Sequence, residues 1–217
     1  MHKSINNLAL VKDQIKTNFN HLSNLKIIAV SKTFPISEVE PLIKNGHIHF
    51  GENKVQEAVD KWTNIKKIHK NLKLHMIGKL QTNKVKYAVP LFDYIHSLDN
   101  IKLAEKISKE QEKLKKNLKI FIQVNIGNEP QKSGILMNDL ENFLKSCVKE
   151  LKLNIIGLMC IPPQNEPVKE YFKKMYEINK FFNLKELSMG MSQDYLDAIN
   201  YGSTYVRIGS DIFGQRS

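Results

Sequence analysis

The amino-acid sequence predicts a single (β/α)8 barrel domain over residues 1–217, with an extra helix before the first strand. Three observations support this fold class. Eight short apolar or alternating segments recur along the chain, and segments with a helical period near 3.6 residues separate them. An open, doubly wound sheet would be expected to have a glycine-rich turn after its first strand, and this chain has none there. Eight strands that alternate regularly with helices are typical of a closed barrel.

The strands and helices follow one another in order along the chain. The predicted strands cover residues 25–31, 47–50, 73–77, 92–96, 118–124, 153–159, 185–188 and 204–208. The clearest predicted helices cover residues 4–18, 37–45, 53–68, 99–116, 138–150 and 166–182. Helix starts are indicated by Ser37 with Glu40 three residues later, and by Thr82, Asp99 and Ser192. The strands at 47–50 and 185–188 are short, so they are predicted mainly from the alternation around them.

The charge of the chain is strongly basic, at +11, but its composition argues against a nucleic-acid partner. Only Arg207 and Arg216 are arginines among the 33 basic residues, and the lysines are spread along the chain. Base and phosphate recognition favours arginine, whose planar group makes paired hydrogen bonds. In a chain so poor in arginine, we expect Arg207 to have a role that lysine cannot fill.

Three further features of the sequence bear on the location of the protein. No run of about 18 apolar residues is present, so we expect no membrane span. The first residues lack the continuous apolar region of a secretory signal. Cys147 and Cys160 have no CxxC spacing, which indicates two free thiols in a reducing compartment. The sequence therefore predicts a cytoplasmic protein.

The candidate site is the ring of polar residues that follows the predicted strands, since a barrel of this kind builds its site there. Lys32 ends the first strand, with its stem against apolar walls. Burial favours the neutral amine, which can attack an aldehyde. Lysine is abundant in this chain, and a lysine that extends from the barrel rim into water is the alternative interpretation. Position alone distinguishes Lys32 from the other lysines.

The segments after the seventh and eighth strands are rich in glycine and serine. Ser188, Gly190 and Ser192 follow the seventh strand, and Gly209 and Ser210 follow the eighth. These two loops commonly form the phosphate site of the fold, because glycine lets backbone N–H groups approach the anion. Ser192 and Ser210 each precede a helical segment, so both are also candidate N-caps.

The remaining polar candidates are an asparagine and three histidines. Asn53 opens a helix and either caps it or contacts a planar ligand. His47 and His49 alternate on a predicted strand, so we expect them to share one face and to be structural. His75 lies nearer the end of its strand, and its role stays open. No acidic or thiol ligands accompany these residues at a useful spacing, so the sequence predicts no metal site.

Several long motifs of the chain closely resemble those of the pyridoxal phosphate homeostasis proteins. They are IIAVSKTFP, HFGENKVQEAVDKW, HMIGKLQTNK, QVNIGNEPQKSG, GLMCIPP and LSMGMSQDYLDAINYGSTYVRIGSDIFG, which run from about residue 25 to the C-terminus. The resemblance implies pyridoxal 5′-phosphate (PLP) as the cofactor, bound as an aldimine, a Schiff base, on Lys32. The other cofactor-binding residues it implies are Asn53, Ser188, Met189, Ser192, Arg207, Gly209 and Ser210. The NIGNEPQKSG loop departs slightly from the commoner family pattern, which affects only this outer loop.

The resemblance also implies a function, with Arg207 facing the pyridine nitrogen of the cofactor. A guanidinium keeps that nitrogen unprotonated and so makes the ring a poorer electron sink. We therefore expect a monomeric homeostasis protein that carries PLP with little turnover and exchanges it with PLP-dependent apo-enzymes. An amino-acid racemase or decarboxylase is the main alternative. An aldolase or isomerase barrel and a basic nucleic-acid-binding protein are the others.

Overall fold

The computed structural model describes residues 2–19, 24–164 and 166–215, and a closed parallel barrel forms its centre. Each strand pairs with its neighbours in chain order, and the last strand pairs back to the first. The strands are β1 (Lys26–Val30), β2 (His49–Glu52), β3 (Lys73–Met76), β4 (Tyr94–Leu98), β5 (Lys119–Val124), β6 (Ile155–Cys160), β7 (Glu186–Met191) and β8 (Tyr205–Ile208). The predicted (β/α)8 barrel is confirmed.

Helices surround the barrel and connect its strands. They are α1 (Lys3–Asn18), α2 (Ile36–Lys44), α3 (Val55–Ile68), α4 (Val85–Leu91), α5 (Ile101–Leu114), α6 (Leu140–Lys145), α7 (Val168–Phe181), α8 (Tyr195–Asn200) and α9 (Ser210–Phe213). A 3-10 turn begins at Thr82 and leads into α4, and a π-helical turn extends α6 over Ser146–Glu150. Among the described residues, no helix is both long enough and apolar enough to span a bilayer.

Four strands end later than the sequence predicts: β4 continues to Leu98 instead of residue 96, β6 ends one residue late at Cys160, and β2 and β7 differ as follows. β2 was expected to end at residue 50, but its pairing with β3 continues through Glu52. β7 was expected to end at Ser188, but it continues to Met191, which pairs with Arg207 of β8. The extra residues are glycine and polar or methionine residues, which resemble a loop in sequence. Pairing with β3 holds the added residues of β2, whereas the register of β7 shifts between Ser188 and Met191, where Gly190 has φ 91°, and the candidate site residues shift accordingly.

The helix starts at Ser37 and Asp99 are also wrong in detail. α2 begins at Ile36, one residue before Ser37, with Pro35 as its N-cap at φ −66°. Proline fixes φ near this value, so the chain is already set for the helix there. α5 is capped by Asn100 rather than Asp99, and its side chain accepts a hydrogen bond of 2.9 Å from the backbone N–H of Leu103.

The core has two parts because successive residues of a strand point to opposite faces. In β1, Ile28 and Val30 belong to the barrel interior, which also contains Tyr94, Phe121, Met159 and Tyr205. Ala29, between them, belongs to the larger core between the barrel and its helices. These side chains thus fill the barrel interior, and an open site remains at the carboxyl ends of the strands.

The extra N-terminal helix packs beside the last helix of the chain. α1 buries Ser4, Leu8, Val11 and Ile15, which lie on one face at helical spacing. The Asn7 side chain donates a 3.0 Å hydrogen bond to the backbone carbonyl of Ile212 in α9. Since α9 begins at Ser210, α1 supports one wall of the candidate site from outside.

Candidate functional site

A cavity of about 650 Å³ lies at the carboxyl end of the barrel. It is lined by six of the eight residues that the sequence predicts for the site: Lys32, Asn53, Ser192, Arg207, Gly209 and Ser210. They come from the ends of β1, β2, β7 and β8, which are distant in sequence and meet because the barrel closes. Phe34, Ile77, Ile161 and Met191 provide apolar surface around them.

Ser188 and Met189 are not brought to the cavity wall. Ser188 is completely buried in the barrel interior, beneath Arg207. Met189 is completely buried in the core between barrel and helices, because the side chain after Ser188 points outward. Met191, two residues further along β7, is 40% exposed and lines the cavity instead. The register of β7 shifts between Ser188 and Met191, where Gly190 has φ 91°, so Met191 does not follow the alternation of Ser188 and Met189.

Lys32 is half-buried in the turn that follows β1, and the peptide groups on both sides of it are held by α3. The Nζ of Lys61 donates a 2.9 Å hydrogen bond to the carbonyl of Ser31. The backbone N–H of Thr33 donates to Oε1 of Glu57 at 2.5 Å, and Thr33 takes the left-handed conformation at φ 70°. The backbone on which Lys32 sits is therefore fixed by two charged side chains.

These contacts depend on a buried carboxylate, that of Glu52, which has no exposed surface. Its Oε1 accepts hydrogen bonds from Ser31 Oγ at 2.8 Å, Lys61 Nζ at 2.9 Å and Trp62 Nε1 at 2.9 Å. Lys61 uses its third hydrogen on Glu57 at 3.0 Å, which completes its donors. Sequence reasoning missed this cluster, because nothing in the spacing of Glu52 and Lys61 indicates a pair.

The loops after β7 and β8 are joined by Ser192. Its Oγ accepts from the backbone N–H of Gly209 at 3.3 Å and from that of Asp211 at 3.5 Å. Neither Ser192 nor Ser210 is an N-cap, since Asp194 precedes α8 and Gly209 precedes α9. The carboxylate of Asp194 lies in the cavity wall, and burial raises its pKa from the ordinary value. The two loops thus form one wall, with Gly209 and Ser210 at its edge.

Arg207 forms the floor of the cavity and is 5% exposed. Its Nη1 donates to Ser188 Oγ at 2.8 Å, and its Nη2 donates to the carbonyl of Cys160 at 3.0 Å. Burial lowers the pKa of Arg207, and Cys160 and Asp194 act in the opposite direction. Within the described ranges, Arg207 forms no ion pair with a carboxylate within 4.0 Å.

The histidines behave differently from the sequence-based expectation. His47 and His49 do not share a strand face, because β2 begins only at His49. The ring of His47 packs edge-on against Phe50, and its Nε2 is 2.9 Å from the carbonyl of His49. His49 and His75 enter the barrel interior, where their rings contact Tyr94. Burial is the largest cause that lowers the pKa of both His47 and His49 to about 4.

A comparison with known families and proteins gives consistent matches over nearly the whole chain. The family model for the alanine racemase N-terminal domain matches residues 7–217. The pyridoxal phosphate homeostasis protein of Haemophilus influenzae is 38% identical, over 97% of this chain and 95% of that one. The protein of the same name from Escherichia coli K12 is 35% identical, over 100% of this chain and 98% of that one.

Solved structures agree with these matches. PipY of Synechococcus elongatus, solved with PLP bound, superposes with a TM-score of 0.87 at 32% identity, over 97% of this chain and 100% of that one. The alanine racemase of Corynebacterium glutamicum gives a TM-score of 0.69 at 15% identity, over 94% of this chain and 61% of that one. The racemase comparison supports the fold alone.

Proposed function

This chain belongs to the family of pyridoxal phosphate homeostasis proteins, and on that premise we propose that it binds PLP in the cavity at the carboxyl end of its barrel. Its role is then in the homeostasis of PLP and of amino and keto acids. The observation that carries the proposal is the convergence of Lys32, Arg207 and the two glycine–serine loops on one cavity.

The residues of the cavity fit the chemistry of this cofactor. Lys32 brings an amine, the group that forms a Schiff base with an aldehyde, and Gly209 and Ser210 line the same cavity, where their loop can contact a phosphate. Asn53 lies beside them, and its Oδ1 is buried without a hydrogen-bond partner among the residues described. A buried polar atom of this kind normally has a partner, so a ligand group beside Asn53 would satisfy it.

We assign the remaining cofactor contacts as follows. Ser192 and the loop it joins hold the phosphate, and Arg207 lies toward the pyridine nitrogen. Ser188 acts beneath Arg207 rather than on the cofactor itself, and Met189 supports β7 from the outer core. Met191 provides an apolar contact at the mouth of the cavity.

The same arginine argues for a carrier rather than an enzyme. PLP supplies an electron sink for reactions of amino acids, and that sink is strongest when the ring nitrogen is protonated. A guanidinium has hydrogens to donate and no acceptor, so Arg207 holds the nitrogen it faces in the unprotonated form. We therefore propose that the protein holds PLP without robust catalysis. Racemisation of amino acids by the purified protein, lost in Lys32→Ala, would instead indicate the racemase alternative.

The decisive experiment is an absorption spectrum before and after borohydride reduction, followed by peptide mass mapping. We expect a visible band that disappears on reduction and a phosphopyridoxyl group on Lys32. Lys32→Ala should lose both. Lys79→Ala is the matched control, because Lys79 is exposed beside the cavity residue Gly78 and should not affect the adduct. An adduct on another lysine, or none, would refute the assignment of Lys32.

We further propose that residues 1–217 form one cofactor-binding domain that acts as a cytoplasmic monomer and exchanges PLP with PLP-dependent apo-enzymes. The two cysteines are buried and unpaired, which agrees with a reducing compartment. Light scattering after size-exclusion chromatography tests the monomer. Mixing the loaded protein with an apo-enzyme and following the recovery of enzyme activity tests the exchange, and recovery no faster than with free PLP alone would contradict it.

A further inference from the structure

A continuous row of hydrogen bonds crosses the barrel interior from its lower end to the floor of the cavity. His49 Nδ1 lies 2.9 Å from His75 Nε2, and His75 Nδ1 lies 2.9 Å from His96 Nε2. His96 Nδ1 lies 2.9 Å from Ser188 Oγ, which accepts from Arg207 at 2.8 Å. We call these four residues, His49, His75, His96 and Ser188, the histidine row. His75, His96 and Ser188 have no exposed surface.

The row is not explained by metal binding or by charge. Among the residues that the structure describes, no group of three or more His, Cys, Asp or Glu side chains is arranged to hold a metal ion. Burial holds the pKa of His75 and of His96 well below the ordinary value, and the charge of Arg207 lowers that of His96 further. Burial and the nearby Lys26 and Lys73 lower the pKa of His49 to about 4. All three imidazoles are thus neutral near pH 7.

Arg207 determines the direction of the row, because a guanidinium can only donate. Ser188 accepts from Arg207, and among the described residues the only acceptor that its own buried hydroxyl hydrogen meets is Nδ1 of His96, so Ser188 donates to His96. A neutral imidazole that accepts at Nδ1 carries its hydrogen at Nε2, so His96 donates to Nδ1 of His75. By the same reasoning, His75 donates from Nε2 to Nδ1 of His49. Each member therefore accepts a hydrogen bond on its side toward Arg207 and carries its own hydrogen on its side toward the lower end of the barrel.

This arrangement explains how the buried Arg207, which has no carboxylate partner among the residues described, stays charged. Removing a cation from water is costly unless other groups solvate it. In the row, the acceptor side of each imidazole faces Arg207, so the dipoles of the row are aligned with their negative ends toward the guanidinium. Hydrogen bonds in such a row polarise one another, which strengthens the acceptor that Arg207 meets at Ser188.

We propose that His49, His75, His96 and Ser188 are positioning residues that hold Arg207 in place at the cavity floor through a one-way hydrogen-bonded row. They touch no cofactor atom and act only through the guanidinium. The consequence for PLP rests on the function proposed above, whereas the direction of the row does not.

The direction is tested on the protein without cofactor, by NMR of ¹⁵N-labelled histidine near pH 7. The expected result is that His49, His75 and His96 are all neutral with the hydrogen on Nε2. An Nδ1–H form at any of the three would overturn the proposal. This measurement needs only the natural sequence, so it stands even where a variant fails to fold.

Two variants then test which end sets the direction. Arg207→Met removes the group that forces Ser188 to accept, so His96 and His75 should sample both neutral forms. His49→Phe at the opposite end is the matched control, and it should leave His96 and His75 with hydrogen on Nε2. Unchanged forms in Arg207→Met would show that the row is ordered without the arginine and would refute the claim that Arg207 sets its direction.

The effect on the cofactor is tested with His96→Phe, which keeps a ring to stack on Phe121 but removes both hydrogen-bonding atoms. We expect the Kd for PLP to rise about tenfold, a factor that corresponds to the loss of about one hydrogen bond to a charged group. The control is Tyr94→Phe, an interior residue outside the row, for which the Kd should not change. Equal values in His96→Phe and the natural protein would contradict the proposal. If the natural protein itself bound no PLP, the proposed function would fail while the NMR result would remain valid.

Discussion

Acid should destabilise this protein well above the pH at which carboxylates titrate, because its buried histidines are neutral. The pKa of His47 and of His49 falls from 6.5 to about 4, mainly through burial. The unfolded chain takes up these protons near pH 6.5, but the folded chain does so only near pH 4. Their contribution to stability is therefore complete above pH 6.5 and is lost as the pH falls from 6.5 toward 4.

The magnitude follows from the size of the shifts. A shift of 2.5 units is worth about 3.4 kcal/mol in full, and about 2 kcal/mol of it is lost between pH 7 and pH 5. His47 and His49 together account for about 4 kcal/mol over that range. His75 and His96, whose pKa is also lowered by burial, add to the loss in the same direction. A loss of this size is a large part of the stability of an ordinary domain.

The assay is urea unfolding at pH 7, 6 and 5, followed by the fluorescence of Trp62, the only tryptophan and one with no exposed surface. His49→Gln should reduce by about one the number of protons that the chain takes up on unfolding, which is read from the slope of the unfolding free energy against pH. Val39→Ala, a buried apolar control in α2, should lower the free energy of unfolding equally at each pH. Free energies of unfolding at pH 7 and pH 5 that agree within about 1 kcal/mol would refute the reasoning.

Three further predictions concern the site. Lys61→Met leaves the buried charge of Glu52 uncompensated, and should cost about 3–5 kcal/mol in urea unfolding, with most of it recovered when Glu52→Gln is added. Gly78→Ala places a Cβ 2.3 Å from the carbonyl of Asn53, so PLP titration should show clearly weaker binding; an unchanged Kd would contradict this. Arg207→Glu should favour protonation of the ring nitrogen and raise slow side reactions with amino acids, measured as product formation by the loaded protein.

The fold could be predicted because its signal is repeated along the chain. Each strand is a short apolar run, and the alternation with helices identifies the barrel even where one run, such as that of β7, is weak. The ends of β2 and β7 could not be predicted. Gly51 and Glu52 have loop-like residue types and belong to β2 only because β3 pairs with them, and β7 continues past an irregularity at Gly190, which has φ 91°.

The site could be predicted as far as it depends on the ends of strands. Lys32, Arg207 and Gly209 were found by position, since closure of the barrel brings strand ends together. The supporting contacts could not be found in this way. The pairing of Glu52 with Lys61 depends on how α3 packs. The contact of His96 with Ser188, 92 residues apart, depends on which residues of β4 and β7 face inward at the same height.

The join between β1 and β8 has a consequence for how the protein is made. Ala29 pairs with Ile208, so the barrel closes only when its first and last strands meet. Lys32 lies on one side of this join, and Arg207 and Gly209 lie on the other. A ribosome must therefore release nearly the whole chain before the cavity exists. Any ligand that then bridges the two sides stabilises the closed barrel, by about 2.7 kcal/mol when the ligand concentration is a hundred times its Kd.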